Sequence, residues 1–175
     1  ALMDAYRLDA DGVAPMLAAC NEPAEVTLVA RPGQCEVAEL LDIPGTRAGS
    51  RSPYAVLLPR GTAPGSVPAV RQQRAGVQDE GSQLVALALA DIDVPGDPGS
   101  WLDLCSGPGG KSAILAGAAH EVGATLTAVE VNETRARLVE NALEHAPGKP
   151  QVVVADGRTF DVGTRYDRIL VDAPC

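Results

Sequence analysis

The feature that most restricts how this chain can fold is an alternation of strand-like and helical segments after residue 100. Short runs rich in β-branched residues predict strands at Trp101–Cys105, Thr125–Val131, Gln151–Ala155 and Arg168–Val171. Helical patterns follow the first two strands, at Lys111–His120 and Glu133–His145, and Asn132 is the predicted N-cap of the second. Strands that alternate with helices in this way form parallel, doubly wound sheets. The second half is therefore predicted to be α/β, with an apolar helix at Glu80–Ala90 buried against the sheet.

The first half of the chain does not show this regular alternation of strands and helices. Its patterns predict helices at Met3–Arg7, Val13–Cys20 and Gln34–Leu41 and strands at Glu25–Arg31 and Tyr54–Leu58. These elements indicate a small α+β unit. We place the join in the Pro/Gly-rich stretch between Gly61 and Gly76, which divides the chain into residues 1–76 and 77–175.

Composition excludes several classes of protein. With 46% hydrophobic and 21% charged residues, the 175-residue chain is neither disordered nor collagen-like. Its longest apolar run, Leu84–Ala90, is far shorter than the roughly 20 residues of a membrane helix. The four cysteines form no C-x-x-C pair, so we expect neither structural disulfides nor a metal site. The first residues lack the features of a secretory signal, which leads us to expect a cytoplasmic protein.

Charge is distributed unevenly along the chain. The net charge of −9 argues against an overall nucleic-acid-binding surface. No acid occurs from Ile43 to Gln78, however, and this basic segment contains Arg47, Arg51, Arg60, Arg71 and Arg74. Such a segment either follows a phosphate backbone or is an ordinary solvated loop. Tyr54 lies inside it and is the one candidate for stacking on a base.

Acidic residues and glycines gather where the predicted parallel strands end, which is where such sheets bind ligands. The first strand is followed by a glycine-rich turn at Gly107–Gly110, whose backbone can approach a ligand closely before a helix begins. Glu130 ends the second strand and is placed to accept hydrogen bonds from ribose hydroxyls, unless it is only a solvated carboxylate. Asp156 follows the third strand and either accepts from an adenine amino group or forms an Asp-Gly turn. Asp172 follows the fourth strand.

Three kinds of cofactor compete for this glycine turn. Gly110-Lys111-Ser112 matches the end of a P-loop, but the first glycine of that motif would fall on Cys105. A dinucleotide fingerprint fits Gly107 and Gly109 but meets Ser112 where its third glycine belongs. S-adenosylmethionine requires neither a third glycine nor a phosphate cradle, and acids at strand ends suit its ribose and adenine. The set of acids therefore favours S-adenosylmethionine.

These residues resemble the Sun/Fmu-like RNA cytosine-C5 methyltransferases. The resemblance rests on Val77-Gln-Asp-Glu-Gly-Ser-Gln83, Asp103-Leu-Cys-Ser-Gly-Pro-Gly-Gly-Lys111, Glu130, Ala155-Asp-Gly-Arg158 and Asp172-Ala-Pro-Cys175. Two departures are mild: Ser106-Gly107 stands where the family usually has Ala-Ala, and Glu130 where it usually has Asp. The resemblance covers at least residues 77–175 and implies a Rossmann-like methyltransferase sheet, whose C-terminal part we expect to be missing here.

The resemblance also implies roles for individual residues. The cofactor would be surrounded by Cys105, Ser106, Gly107, Pro108, Gly109, Gly110, Lys111, Glu130, Asp156 and Asp172. Asp172 and Cys175 would be catalytic: the acid supports N3 of cytosine while a thiolate adds at C6, and the Pro-Cys cysteine assists release. The first half would bind RNA, with ribosomal RNA as the expected substrate. Arg135 is more readily explained as a solvated helix residue than as a contact to adenosine, and His120 and His145 as structural.

The attacking thiolate of this family comes from a later Thr-Cys segment, which Cys20, Cys35 and Cys105 do not match. We therefore expect this chain to be a fragment that does not methylate RNA alone. The open edge of its last strand would pair with a downstream fragment or another copy. A P-loop nucleotide hydrolase or kinase, and a non-catalytic cofactor- or RNA-binding module, remain as alternatives.

Overall fold

The computed structural model of this protein describes residues 10–21, 25–95, 99–160, 163 and 165–174. The predicted helix Met3–Arg7 lies outside these residues. The described chain forms two four-stranded sheets, one antiparallel and one parallel. Each has its own cluster of buried apolar side chains. No helix in the described part of the chain is long and apolar enough to cross a membrane.

The antiparallel sheet occupies the first half and has the strand order β2-β3-β1-β4. Its strands are β1 Thr27–Ala30, β2 Arg47–Ala48, β3 Ala55–Leu57 and β4 Ala75–Val77. The accompanying helices are α1 Ala10–Asn21, α2 Val37–Leu41 and α3 Pro68–Arg71, with a 3₁₀ turn at Pro64–Ser66. Leu28, Leu40 and Val56 lie at the centre of its core. The predicted α+β unit is confirmed, although β2 and β4 were not predicted because runs of two or three residues show no measurable periodicity.

The parallel sheet occupies the second half and has the order β7-β6-β5-β8. Its strands are β5 Ser100–Asp103, β6 Thr125–Glu130, β7 Gln151–Val154 and β8 Arg168–Leu170. Its helices are α4 Glu80–Ala90, α5 Gly110–Glu121 and α6 Glu133–Leu143. The α/β prediction is confirmed. All four carboxyl ends meet at one edge of this sheet, where the predicted site residues follow.

Local sequence explains where the helices around this sheet begin. The side chain of Asn132 accepts a hydrogen bond from the backbone N–H of Arg135 at 3.0 Å, which confirms the predicted N-cap. Asp79 caps α4 in the same way through the N–H of Ser82 at 2.9 Å. The predicted burial of α4 against the sheet is confirmed through Ala86 and Leu87, whereas Val85 is 44% exposed. Only one side of α4 faces the core.

The two sheets are joined by close packing and by buried polar side chains. Arg31, which follows β1, donates from Nη1 to the carbonyl of Ala142 in α6 at 2.9 Å. Its guanidinium is nearly fully buried, and this burial lowers the pKa of Arg31 to about 10. Gln83 is also buried and donates to the carbonyl of Gln78 at 2.9 Å, while Ser52 Oγ donates to its Oε1 at 2.6 Å. These contacts hold the end of β4 beside the glycine-rich turn.

Candidate functional site

The turn between β5 and α5 requires glycine at two places. Gly109 has φ +102°, and a Cβ there would lie 2.7 Å from the Cβ of Ala142. A Cβ on Gly107 would lie 2.1 Å from Glu130 Oε2. Real Cβ atoms do not approach other atoms this closely. The turn can therefore pack against β6 and α6 only because Gly107 and Gly109 have no Cβ atom.

Glu130 is the acid around which the turn is organised. Its side chain is 5% exposed. Its Oε2 accepts from the N–H of Gly107 at 3.1 Å, and its Oε1 accepts from the N–H of Asn132 at 3.0 Å. An ionised carboxylate has about four lone-pair sites, so each oxygen can still accept a further hydrogen bond. The arrangement fixes the carboxylate and leaves capacity for a pair of ligand hydroxyls.

Arg135 lies at the site, and its side chain is 46% exposed, in line with the favoured expectation of a solvated position. Its Nε lies 3.6 Å from Glu130 Oε2, and its Nη2 donates to the carbonyl of Gly107. Gly107 lies 28 residues away in sequence, and nothing near Arg135 in the chain signals that contact, whereas Glu130 precedes Arg135 by only five residues. The side chain braces the turn from the side of α6.

A cavity of about 600 Å³ opens in front of Glu130 at the carboxyl ends of the strands. Pockets of this volume accommodate small-molecule ligands. It is lined by Leu104, Cys105, Gly107, Glu130, Val131, Arg135, Ala155, Asp156, Gly157, Arg158, Val171, Asp172, Ala173 and Pro174. The structure thus brings the predicted residues after all four strands to one cavity.

Asp156 forms the turn that was one of its two interpretations from the sequence, and its contact with an adenine amino group stays a prediction. Its carboxylate accepts from the backbone N–H of Arg158 at 3.0 Å, as in an Asp-Gly turn, while it also lines the cavity. The Arg158 guanidinium donates to both of its oxygens, and this hydrogen bonding lowers the pKa of Asp156 to about 2. At neutral pH the carboxylate is therefore ionised, and it can accept hydrogen bonds but not donate them.

A second cavity of about 210 Å³ shares Cys105, Gly107 and Asp172 with the first. It also contains the predicted residues Ser106, Pro108, Gly110 and Lys111, together with Val77, Gln78, Asp79, Ser82 and Asp103. Lys111 Nζ lies 2.7 Å from Asp172 Oδ2. Burial raises the pKa of Asp103, and a hydrogen bond from Ser112 opposes that rise. Burial also raises the pKa of the Cys105 thiol.

Residues 90–175 match the family described as 16S rRNA methyltransferase RsmB/F. The chain belongs to this RsmB/F family. The resemblance inferred from the motifs is confirmed.

Relatives of the RsmB/F chain cover most of its length. The Rv1407 protein of Mycobacterium tuberculosis is 48% identical over 161 residues, which is 91% of this chain and 34% of Rv1407. Ribosomal RNA small subunit methyltransferase B of Sodalis glossinidius is 37% identical over 131 residues, 73% of this chain and 29% of that protein. The chain thus spans about a third of the length of the curated relatives it matches.

Solved structures share the fold of the RsmB/F chain. NSun6 from Pyrococcus horikoshii, solved with SFG, has a TM-score of 0.56 and 26% identity over 65% of this chain and 29% of NSun6. A methyltransferase homologue from the same organism has a TM-score of 0.69 over 90% of this chain and 53% of its own, at 22% identity. At that identity, the second similarity shows the fold alone.

The P-loop alternative finds no support in the RsmB/F chain. A P-loop would present Ser112 to a metal ion and Lys111 to phosphates. Ser112 is instead fully buried and donates to Asp103 Oδ2 at 2.6 Å, while Lys111 pairs with Asp172. Neither side chain is available for the P-loop role.

Several residues weighed from the sequence lie elsewhere or outside the described chain. Cys175 is outside the described residues, and so is the side chain of Cys20. Cys35 is buried in the core of the antiparallel sheet, where burial raises its pKa to about 11. Tyr54 is partly buried and packs against the core of the parallel sheet, and its stacking on a base stays a prediction. His120 and His145 line neither cavity.

The basic segment is less basic in three dimensions than in sequence. Arg47 pairs with Glu25, and Arg74 pairs with Glu39 at 2.6 Å. Both acids lie outside the segment, and an acid-free stretch of sequence cannot reveal partners contributed by other strands and helices.

Proposed function

We propose that this chain binds S-adenosylmethionine and takes part in methylating C5 of cytosine in ribosomal RNA. The observation that supports this most is the Glu130 carboxylate, which is held in place at the larger cavity. The turn beside it leaves no room for a Cβ at Gly107. The RsmB/F family match and the names of relatives such as ribosomal RNA small subunit methyltransferase B support the substrate class. NSun6 was solved with SFG, an analogue of S-adenosylmethionine.

The residues fit this cofactor. Glu130 would accept hydrogen bonds from the ribose hydroxyls and Asp156 from the adenine amino group, because both carboxylates line the larger cavity. When bound, the cofactor supplies an electrophilic methyl group. The missing Cβ of Gly107 leaves the backbone free to approach the ligand.

Asp172 borders both cavities and is half exposed, so it can reach a base that enters from solvent. Lys111 holds its carboxylate in place. Asp172 would hold a proton at N3 of cytosine while a thiolate adds at C6, which makes C5 nucleophilic. Loss of the C5 proton and release of the thiolate then restore the aromatic ring, and Cys175 keeps its predicted role in this release.

The proposed cofactor is tested by calorimetry on this chain with S-adenosylmethionine and with ATP–Mg²⁺. We expect binding of the first and none of the second. Binding of ATP–Mg²⁺ alone would overturn the proposal.

The proposed reaction is tested with a protein in which this chain is joined to the remaining part of its relative Rv1407, and with unmodified ribosomal RNA labelled with tritium at C5 of cytosine. Methylation at C5 must release tritium to water in a ratio of one per methyl group transferred. Methyl transfer without tritium release would contradict C5 as the acceptor. The same assay on the 175-residue chain tests the prediction that it does not methylate RNA alone.

Replacing Asp156 with alanine should weaken S-adenosylmethionine binding only about threefold to tenfold, because its carboxylate already accepts hydrogen bonds from Arg158. Asp93→Ala removes an exposed acid that lines neither cavity and serves as the matched control in calorimetry. A loss as large as the one expected for Glu130→Ala would contradict this prediction. It would show that Asp156 contributes as much to S-adenosylmethionine binding as Glu130 does.

The basic segment is proposed to contact the RNA backbone through Arg51 and Arg71, whose guanidinium groups form no salt bridge among the described contacts, although Glu80 accepts from the backbone N–H of Arg51 at 2.6 Å. Changing both to glutamine should lower RNA affinity and reduce the slope of log affinity against log salt by about 1.4 for single-stranded RNA. The matched control changes Arg47 and Arg74, whose charges are already paired with Glu25 and Glu39, and should move the slope less. Equal effects of the two double variants would contradict this assignment.

A further inference from the structure

A third cavity, of about 310 Å³, lies between the two halves of the chain. It is lined by Gly33 and Gln34, which follow β1, by Gln72 and Arg74, which precede β4, and by His145, which follows α6. None of these residues lines either of the cavities at the proposed cofactor site. The eleven residues of α6, roughly 16 Å of helix, separate that site from this cavity.

Arg74 presents a fixed flat surface at the third cavity. Its Nη1 and Nη2 donate to the Glu39 carboxylate at 2.7 and 2.6 Å, and its Nε and Nη2 donate to Gln72 Oε1 at 3.0 and 2.9 Å. Its Nη1 also donates to the carbonyl of Gln34 at 3.4 Å. A guanidinium has five N–H donors in one plane, and these bonds use all of them. What Arg74 still offers a ligand is the face of its guanidinium, on which planar rings stack.

Gln34 brings an unsatisfied amide to the same cavity. Its Oε1 and Nε2 are both buried, and neither has a hydrogen-bond partner among the described residues. Native structures contain few buried polar atoms without a partner. Since the amide can turn about the side-chain bonds, a ligand that presents a donor beside an acceptor would satisfy both atoms. His145 is exposed and adds an imidazole ring, a second surface for stacking.

We propose that this cavity binds an unpaired adenine of the RNA, at a nucleotide other than the one that is methylated. The inference rests on the proposed function, which makes RNA the partner. Unpaired bases are recognised by stacking on guanidinium planes or aromatic rings and by hydrogen bonds to their edges. The 6-amino group of adenine is a donor beside a ring-nitrogen acceptor, and a glutamine amide pairs with that combination. Arg74 and His145 would stack on the ring, and Gln34 would read its edge.

The charges around the cavity suit a base better than a phosphate. The charge of Arg74 is already paired with Glu39, so an anion gains little there. Arg71, which is proposed to contact the RNA backbone, directly precedes Gln72 at the cavity. A phosphate at Arg71 and a base in the cavity would hold one RNA strand, while the target cytosine enters at the other end of α6.

Fluorescence anisotropy with single-stranded RNA tests this inference. S-adenosylhomocysteine is present at saturation, so that adenine cannot enter the cofactor site. One probe is oligoadenylate, and the other is an oligomer of purine riboside, whose base lacks only the 6-amino group. Gln34→Ala should lower the affinity for oligoadenylate about fivefold or more, the scale of one pairing between a side chain and a base. The loss for the purine riboside oligomer should stay below about threefold, because only one of the two hydrogen bonds is available there.

Two further variants separate stacking from edge recognition. His145→Ala should lower the affinity for both oligomers about fivefold, because stacking does not depend on the amino group. His145→Phe, which keeps a ring, should restore most of that affinity. The slope of log affinity against log salt should not change for Gln34→Ala, since no phosphate contact is lost.

Gln151→Ala, at an exposed glutamine at the start of β7, is the matched control, and Gln34→Met carries the test if the alanine variant does not fold. An equal loss for both oligomers with the Gln34 variant, or no loss for either, would overturn the inference. So would free adenosine that competes as tightly as oligoadenylate, because the cavity would then be a nucleoside site. If the parent chain binds neither oligomer, the proposed RNA substrate fails as well.

Discussion

Replacing Glu130 with alanine is expected to weaken S-adenosylmethionine binding by about 1.5–3 kcal/mol, the scale for hydrogen bonds to a charged group. This corresponds to a loss of about 10- to 150-fold in affinity. The change removes the acceptor for the ribose hydroxyls and leaves the N–H groups of Gly107 and Asn132 without their carboxylate partner. Isothermal titration calorimetry measures the loss, and circular dichroism establishes that the fold persists.

Gly107→Ala tests the same geometry from the opposite side. Its Cβ would displace the Glu130 carboxylate without removing it, so a loss of similar size is expected. Gly65→Ala is the matched control, because a Cβ there meets nothing within 4 Å and φ is not positive. If Gly107→Ala binds S-adenosylmethionine as the parent does, the carboxylate position is not what binds the ribose.

The second large effect is expected on stability. Gly117 lies inside α5, where alanine alone would favour the helix by about 1 kcal/mol. A Cβ at this position would lie 2.4 Å from the carbonyl oxygen of Pro32, a backbone atom that cannot rotate away. Overpacking of this kind costs about 1–3 kcal/mol or more, so Gly117→Ala should lower the free energy of unfolding by about 2 kcal/mol. In a domain of this size, Tm would fall by about 4–8 °C.

Differential scanning calorimetry of Gly117→Ala beside Gly65→Ala measures this effect. A Tm equal to or above that of the parent would mean that helix propensity outweighs the contact, and that the two sheets are packed more loosely than the structure has them. The cofactor affinity of Gly117→Ala, measured well below its Tm, indicates whether the damage reaches the turn at Gly107.

The parts of this structure that could be predicted are those that depend on residues close together in the sequence. β5 to β8 lie within two residues of their predicted bounds, because the strands of a parallel sheet are short apolar runs and α6 has a clear period of apolar residues. Since parallel strands end at one edge, the acids Glu130, Asp156 and Asp172 were expected to converge, and they line one cavity. The family and the Rossmann-like fold are confirmed on this basis.

What could not be predicted depends on contacts between distant segments. Arg135 reaches the carbonyl of Gly107, and Arg74 pairs with Glu39, and neither partner leaves a trace in the neighbouring sequence. Gln78 belongs to a motif that carried the resemblance. Only the structure shows that its Oε1 lies beside Gly110 and has no hydrogen-bond partner among the described residues. The division at residues 76 and 77, the RNA substrate, C5 specificity, cytoplasmic location and pairing through the edge of β8 stay predictions.

Ala142 bears on whether the two halves of the chain could be exchanged as modules. Its side chain lies against the turn at Gly109, and its carbonyl accepts the guanidinium of Arg31 from the other sheet. A foreign antiparallel-sheet unit joined to the parallel sheet would have to offer a donor to that carbonyl and a surface that fits against Gly117. Hybrids that join halves from distant members of the family should therefore be unstable unless both contacts are kept, however well the join itself is chosen.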